Sequence, residues 1–566
     1  MAMRTRNRNG VTALNKVSGK IGKTPNVPNT NPKIFTVTHV FTVFVVLFSL
    51  FVFWQNHISA DFDTLVIRST DDFAFSYTLR QYHENSNDIR SWLVMNEYGY
   101  GWIYWFIIKM LTFPAYWLFV RTGIELPLVI LPRHISLAFA IGCMYLAYKL
   151  ASLYTKEEYL KATAAFMFPL FSTCSYFAGR FGTVPQTAFF CMLACYWTAK
   201  ENAMDRKKLF YVLLSLAAAC ATKLTAIIIV PTLGLLIFSR FNWSFSMKNL
   251  VLWLKAFIPA AVIGIFLLSP AFIFAPIAPQ YAKDSFHLIK VYVSLAQGGD
   301  VSFFDNIYNF LHAYSFMPIV ILLLTGVFIK AFMAFRGEKR NFDFFCYASG
   351  FTSSILIFCA LIKHGSLYVI LYSFSIGCLW SLGVLALNYL PHRYLIKWAC
   401  IMLVVGQVAF MGGNVWLKKD NNILKYYQNR VSAETEIEEY KQIRETMFER
   451  SKTFSLVQDV RFRYLISPLK YKNVQSKMIE NDFGSLSYEN VDIAYILLDK
   501  QAVGFLPENN FLSAIATLDG EQQEQYQRDR ASRKQLVQNG SYNDHQYELL
   551  LETDNGFLYG LRLDDD

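Results

Sequence analysis

Long apolar stretches fill most of the first 416 residues of this 566-residue chain, and they restrict its fold more than any other feature. A helix needs about 20 consecutive apolar residues to cross a bilayer. Twelve stretches approach that length: 34–54, 101–120, 133–153, 159–177, 184–200, 208–222, 224–238, 250–274, 313–334, 343–362, 366–390 and 398–416. Because the chain is also 54% hydrophobic and only 17% charged, we expect a mainly α, polytopic membrane bundle and exclude an ordinary soluble domain.

Basic residues predict the orientation of this bundle. Residues 1–33 contain seven Lys and Arg and no acidic residue, and short basic links follow at 200–208, 240–248, 336–340 and 392–397. The positive-inside rule places all of these in the cytoplasm. The net charge of +11 therefore reports membrane topology, and we expect no nucleic-acid partner. The first apolar stretch begins too far along the chain for a simple cleaved signal peptide.

A parity argument identifies one stretch that does not span. Five stretches precede the basic link at 200–208, and an odd number cannot join two cytoplasmic ends. The stretch 101–120 is rich in Trp and Tyr and contains Lys109 and Pro114, which is typical of a helix at the membrane surface. We therefore expect about eleven spans, with 55–132 forming one long outer loop that includes this surface helix.

The same counting divides the chain into three regions. Residues 1–33 form a cytoplasmic basic tail, residues 34–416 form the transmembrane domain, and residues 417–566 form an outer C-terminal α/β domain. In that last region, 431–450 has helical charge spacing and 491–499 is typical of a buried strand. Residues 547–563 resemble a hairpin whose turn, Asp554-Asn555-Gly556, would supply positive φ angles.

Two charged features on the predicted outer face are candidates for chemistry. Asp71 and Asp72 are adjacent carboxylates soon after the first span, and a carboxylate at that surface can act as a general base; a solvated loop is the alternative. Lys223 lies between two short apolar segments. An ammonium at membrane depth indicates a functional site by default, although snorkelling to the interface would also explain it.

Further polar residues are predicted on the same face. The cations are Arg133, Arg180, Lys363 and His364, and the candidates for contacts with substrate or acceptor are Tyr98, Tyr100, Gln186 and His287. Each cation alone is explained as an anchor that flanks a span. Together with a carboxylate, they supply what a lipid-phosphate-linked donor requires, since cations stabilise a phosphate leaving group.

Several short motifs, in order along 34–390, carry a family resemblance. They are "TDDFAFSY", a following surface helix, "RHISLAFAIGCMYLAYKL", "GRFGTVPQTAFF", the Thr222-Lys223 step and "KHGSLYVIL". This layout resembles the GT-C superfamily of integral membrane glycosyltransferases, which take sugars from polyprenyl phosphates. It is similar to the bacterial aminoarabinose-transferase-like and O-antigen-modifying members.

The resemblance implies a function for these residues. Asp71 would be the base, with Asp72 second, and Lys223 and nearby cations would hold the phosphate of an undecaprenyl- or dolichyl-phosphate sugar. The acceptor would be a glycan or lipid, such as lipopolysaccharide or O-antigen, at the periplasmic face of a bacterial inner membrane or in the endoplasmic reticulum. No resident cofactor is implied, and a divalent metal is left open, because only the Asp pair offers hard oxygen ligands.

Two departures from the family pattern concern the site. Many relatives have a carboxylate where this chain has Gln186, and an Arg where it has Ser366 and Leu367. Two other classes of function remain alternatives. A transporter or flippase would show interrupted helices in two related halves with charges near the midplane, and we find no repeat. A scaffold would use the C-terminal domain to bind a partner.

Overall fold

The structure is a computed structural model. It describes residues 37–58, 70–95, 100–122, 126–167, 178–201, 203–241, 246–295, 302–305, 392–412, 438–459, 474–478, 493–503, 531–542 and 545–562, with the single residues 124, 343, 345, 346, 349, 352, 353, 356, 384, 387 and 462. Up to residue 412 the described helices are α1 (Val37–Ile58), α2 (Thr70–Glu84), α3 (Arg90–Leu93), α4 (Trp102–Thr122), α5 (Leu126–Ser152), α6 (Glu158–Met167), α7 (Val184–Lys200), α8 (Arg206–Thr222), α9 (Val230–Arg240), α10 (Met247–Leu268), α11 (Pro270–Ile273), α12 (Pro279–Leu295) and α13 (Arg393–Gly412). The C-terminal region adds helices over 438–450 and 531–539 and the short helix Lys500–Val503.

Local signals in the sequence explain where several of these helices begin. The side chain of Asp205 accepts a hydrogen bond from Lys208 N at the start of α8, and Ser246 accepts one from Asn249 N at the start of α10. Such caps satisfy backbone N–H groups that have no partner within the helix. α7 and α9 each begin with a proline in the first turn, where its missing N–H is not needed.

Contacts at the helix ends show that α1 and α5 are antiparallel. Phe41 near the start of α1 stacks on Tyr148 near the end of α5, with ring centroids 5.5 Å apart. At the other end, Arg133 Nη1 of α5 donates to the backbone oxygen of Asn56 in α1 at 3.2 Å. The bundle therefore has two distinct ends. We call the end with Tyr148 the link end, because basic links lie near it, and the end with Asn56 the Lys223 end, because Lys223 lies there.

Lys223 lies at the opposite end of the bundle from the basic links. Arg240 at the end of α9 donates through Nε to Thr198 O near the end of α7, at 3.3 Å. Arg240 also pairs with Asp343, with Nη2 and Oδ2 2.7 Å apart, and Tyr154 donates to the same carboxylate at 3.2 Å. Because α8 and α9 both run between this end and Lys223, the chain reverses at Lys223, as the parity argument requires.

Within the described residues, three helices are long and apolar enough to cross a membrane: α4, α5 and α10. α10 exposes an apolar surface that includes Leu254, Ile258 and Val262, as a lipid-facing helix would. α4 is the stretch that the sequence analysis placed along the outer surface, and by length and composition it is also a candidate span. The total of eleven spans remains a prediction, since the stretches between 313 and 390 lie almost wholly outside the described residues.

The described part of the C-terminal region has the expected α/β character. Its strands are β1 (Phe454–Gln458), β2 (Val474–Met478), β3 (Ile493–Asp499), β4 (Ser541–Tyr542), β5 (His545–Gln546), β6 (Glu548–Glu552) and β7 (Gly556–Arg562). Five of them form a sheet in the order β2-β1-β3-β7-β6, in which β1 is parallel to β2 and β3, and β7 is antiparallel to β3 and β6. The predicted strand, the hairpin and a helix over 438–450 are confirmed.

The turn between β6 and β7 differs from the prediction. Gly556 already belongs to β7 and has no positive φ, so the expectation is wrong for this residue. Thr553 N donates to Gly556 O at 2.9 Å and closes the turn. The carboxylate of Glu439, from the preceding helix, accepts hydrogen bonds from Asn555 N at 3.1 Å and from its Nδ2 at 2.7 Å. This anchor, which is distant in sequence, selects a turn that the local residues did not predict.

Candidate active site

Lys223 is buried at a break between two helices. α8 ends at Thr222, Lys223 itself is extended with φ −152° and ψ 121°, and a short 3-10 helix (Leu224–Ile229) follows before α9. The extended residue forms an antiparallel bridge with Tyr100, and Gly101 N donates to Thr222 O at 3.3 Å. Only 2% of Lys223 is exposed. Lys223 is therefore held by backbone pairing to the segment ahead of α4.

This pairing requires glycine at position 101. A Cβ atom added to Gly101 would lie 1.6 Å from Ala221 O, so any other residue would force the two backbones apart. The close approach brings the ammonium Nζ of Lys223 to 5.3 Å from the centre of the Tyr100 ring, within the range of a cation–π interaction. Tyr100, predicted as a substrate contact, thus also positions Lys223.

Asp71 and Asp72 lie in the first turn of α2. From the sequence alone, this part of the outer loop 55–132 is expected to be irregular. It is helical because Phe75, Leu79 and Tyr82, spaced at i, i+4 and i+7, all pack into one buried cluster. That cluster, which we call the aromatic cluster, consists of Phe75, Leu79, Tyr82, Met95, Trp102, Tyr104, Trp105, Ile108, Ile135 and Phe181.

The aromatic cluster connects α2 to the Lys223 bridge. The ring of Phe75 lies 5.4 Å from that of Tyr100 and 5.6 Å from that of Phe181. Positions 71 and 72 precede Phe75 by about one helical turn, which is about 5 Å along the axis. The structure therefore brings the backbone of the Asp pair to the same end of the bundle as Lys223, as the sequence predicts.

α2 is fixed at its other end through a histidine. The Nε2 of His83 lies 3.0 Å from Thr112 Oγ1 of α4, and its ring stacks on Tyr116 with centroids 4.6 Å apart. The Thr112 hydroxyl donates to Ile108 O, so it accepts from His83, and this assigns the ring proton to Nε2. Burial, and secondly the charge of Lys109, lower the pKa of His83 from 6.5 to about 4. The helix with the Asp pair thus packs on α4 through a neutral imidazole.

Two of the predicted cations lie near this end of the bundle. Arg133, in α5, is 3% exposed and contacts the last turn of α1 through Asn56. Arg180 is half-buried and directly precedes Phe181, a member of the aromatic cluster. The structure therefore places Lys223, Arg133 and Arg180 at one end of the bundle, in three separate segments.

Uncharged polar side chains are buried at the end of α1 and at the start of α7, at the same end of the bundle. Asn56, Thr183 and Gln186 are each at most 1% exposed. Their amide and hydroxyl atoms, two on Asn56, one on Thr183 and two on Gln186, have no hydrogen-bond partner among the described residues. Leaving one such atom unsatisfied costs about 1–3 kcal/mol. Gln186, predicted as a substrate contact, is thus one of three buried polar side chains with atoms that have no hydrogen-bond partner among the described residues.

Of the remaining predicted residues, the structure describes only His287 and does not bring it into this group. His287 is exposed on α12. The hydroxyl of Ser285, also in α12, lies 2.9 Å from that of Ser269, which directly precedes α11. Ser269 donates in turn to Leu93 O of α3. Tyr98, Lys363 and His364 lie outside the described residues. Where the structure describes the chain, no three His, Cys, Asp or Glu side chains gather as a metal ion would require.

Sequence reasoning missed several residues that build the site. Gly101 could have been found, because the second glycine in "YGYGW" stands immediately before a helix and away from any turn motif. Phe75 could have been found from its helical spacing with Leu79. Asn56 and Thr183 carried no signal, since a buried amide or hydroxyl at a helix end resembles an ordinary cap.

These features define a class of fold: a helical membrane bundle that is also found in a solved structure. A solved structure with this fold is ArnT, an aminoarabinose transferase, from Cupriavidus metallidurans in the apo state, with a TM-score of 0.52 and 12% identity over 93% of this chain and 98% of that chain. ArnT bound to undecaprenyl phosphate matches with a TM-score of 0.48 and 10% identity over 92% and 98%. No family model and no curated protein sequence matches the chain. The likeness is therefore one of fold.

Proposed function

We propose that the chain is an inverting membrane glycosyltransferase, which transfers one monosaccharide from a polyprenyl-phosphate donor to a glycan or lipid acceptor. The observation that carries the proposal is the burial of Lys223 against Tyr100, at the end of the bundle where α2 also places Asp71 and Asp72. A buried ammonium at membrane depth attracts anions strongly, and a lipid phosphate is an anion that arrives at that depth.

The donor phosphate is the proposed partner of the cations. Lys223 would bind it directly, with Arg133 and Arg180 beside it, and Lys363 and His364 remain candidates from sequence. ArnT, whose apo structure shares this fold, has also been crystallised with undecaprenyl phosphate. Cations around a phosphate stabilise the charge that develops on it as the sugar leaves. The same charges therefore serve both donor binding and departure of the leaving group.

The carboxylate pair is the proposed source of the base. Asp71, or secondly Asp72, would take the proton of the acceptor hydroxyl while its oxygen forms a bond to the anomeric carbon of the sugar. The bond from that carbon to the phosphate oxygen breaks, and its electron pair leaves with the phosphate. A single displacement inverts the anomeric carbon. A general base of this kind contributes about 100- to 10,000-fold to the rate.

The reaction is proposed to occur outside the cytoplasm. The basic links at 200–208 and 240–248 lie at the end opposite Lys223, and the positive-inside rule assigns them to the cytoplasm. The site would then face the periplasm of a bacterial inner membrane, where O-antigen and lipopolysaccharide glycans are available as acceptors. The C-terminal α/β region would lie on the same side and select the acceptor.

Transfer of labelled sugar from undecaprenyl-phosphate sugars to a lipid extract tests this function. The double variant Asp71→Asn/Asp72→Asn should lose at least about 100-fold in transfer rate, because the base is removed, and should still bind the donor. The matched control is Asp564→Asn/Asp565→Asn, an adjacent pair at the C-terminus, which should transfer normally. Full transfer by the Asp71/Asp72 variant would refute the assigned mechanism.

A further inference from the structure

The buried polar group at the Lys223 end has a composition that the proposed reaction does not yet explain. Asn56 and Gln186 each place an amide donor and an amide acceptor in the interior, and Thr183 adds a hydroxyl. None of these atoms has a hydrogen-bond partner among the described residues. Buried polar groups in proteins are nearly always paired, so these atoms are candidates for hydrogen bonds to a ligand.

Contacts with α5 place Asn56 and Thr183 close together. Arg133 of α5 donates to Asn56 O at 3.2 Å, and Ser136, three residues later, donates to Gly182 O at 3.4 Å. Residues three apart in a helix share a face and are separated by about 4.5 Å along its axis. Asn56 and Thr183, the neighbour of Gly182, are therefore attached to adjacent turns of α5.

Gln186 belongs to the same group through the first turn of α7. Thr183 immediately precedes α7, and its backbone oxygen accepts from both N and Oγ1 of Thr187 at 2.9 Å. Gln186 is one turn from Thr183 and is 1% exposed. The three side chains thus come from the end of α1, the loop before α7 and the first turn of α7, all of which contact α5 between Arg133 and Cys143.

The charge of the surroundings restricts what can bind there. The segments that form the group, 52–58, 129–140 and 178–190, contain Arg133 and Arg180 and no Asp or Glu. An ammonium placed among them would meet like charge and no carboxylate of these segments, which is unfavourable in a buried site. Asp71 and Asp72, at the same end of the bundle, are assigned to the acceptor hydroxyl, and an ammonium paired with them would compete with that role. Hydroxyl groups, which both donate and accept, match the amides and the threonine hydroxyl. Arg133, beside Asn56, suits a phosphate next to those hydroxyls.

We propose that Asn56, Thr183 and Gln186 bind the sugar ring of the donor, and that this sugar carries hydroxyls and no cationic amino group. The inference rests on the proposed function, because it assigns the sugar part of the same donor whose phosphate the cations hold. It also gives a physical role to Gln186, a neutral amide at the position where many members of the resembled family have a carboxylate.

Binding measurements with and without the sugar test the assignment. Full-length protein in nanodiscs is titrated with undecaprenyl phosphate, with undecaprenyl-phosphate glucose and with undecaprenyl-phosphate 4-amino-4-deoxyarabinose. Thr183→Val and Gln186→Leu should weaken binding of the glucose donor about 10- to 100-fold, because each removes hydrogen bonds to the ring. Both variants should bind undecaprenyl phosphate as the wild type does.

Charge reversal and a matched control make the outcomes distinct. Gln186→Glu should shift preference toward the amino sugar by at least about 10-fold, since it supplies the missing carboxylate. Thr198→Val, at the other end of α7 and equally buried, should leave all three affinities unchanged. Equal losses for undecaprenyl phosphate and its glucose derivative, or no loss for either, would overturn the sugar assignment. A wild type that binds no polyprenyl phosphate would instead overturn the proposed function, and the sugar assignment with it.

Discussion

The backbone contact at Gly101 allows one prediction to be worked out from the structure. In Gly101→Ala, the new Cβ would lie 1.6 Å from Ala221 O, and real Cβ atoms essentially never approach another atom within 3.0 Å. The two segments must therefore separate by at least 1.4 Å, the difference between these distances. That movement breaks the Gly101–Thr222 hydrogen bond and withdraws Tyr100 from Lys223.

The expected result is a large loss of transfer with a smaller loss of stability. A displacement of about 1 Å in a reacting geometry can lower the rate about 100-fold, whereas one backbone hydrogen bond contributes about 0.5–1.5 kcal/mol. Initial rates of sugar transfer and thermal unfolding, both on protein in nanodiscs, measure the two effects.

A second glycine provides the control. Gly234 lies in α9, and a Cβ added there meets no atom within 4 Å. Gly234→Ala should therefore keep the transfer rate and stabilise the helix by up to about 1 kcal/mol. If Gly101→Ala transfers sugar as fast as Gly234→Ala, the bridge between Tyr100 and Lys223 does not position the site, and the reasoning fails.

Two further predictions concern stability. Folding lowers the pKa of His83 to about 4, so the contribution of His83 to the free energy of unfolding is complete above pH 6.5. That contribution is lost as the pH falls from 6.5 toward 4, by up to about 3 kcal/mol. Thermal unfolding of His83→Phe should lack this part of the pH dependence, and an unchanged profile would contradict the assignment. Arg240→Met should destabilise the protein by about 3–5 kcal/mol, because Asp343 remains as an unpaired buried charge. Addition of Asp343→Leu should restore most of that loss, and no recovery would refute the pairing.

The sequence predicted the class of fold and the placement of charge because both depend on gross patterning. Apolar length predicts membrane helices, and basic links predict which ends share a side. The contact between Arg240 and Thr198 agrees with the side assigned to the basic links. Asp71 and Lys223 are conspicuous in the sequence because charge is rare in such a chain, and their roles remain predictions.

The rest of the site could not be predicted because it depends on contacts between distant segments. The Tyr100–Lys223 bridge joins residues more than 100 positions apart, and no periodicity indicates such a pairing. Glu439 selects the β6–β7 turn from a preceding helix. We placed 101–120 at the membrane surface because it is rich in Trp and Tyr. The same stretch forms α4, whose length and hydropathy also fit a span.

The central claim is that the Lys223 end of the bundle holds the phosphate of a polyprenyl-linked donor. The most direct measurement is the dissociation constant of undecaprenyl phosphate for Lys223→Met, beside Lys248→Met, an exposed lysine at the link end. A hydrogen bond to a charged group contributes about 1.5–3 kcal/mol, so Lys223→Met should bind about 10- to 100-fold more weakly. Lys248→Met should bind like the wild type. Equal affinities for the two variants would contradict the claim.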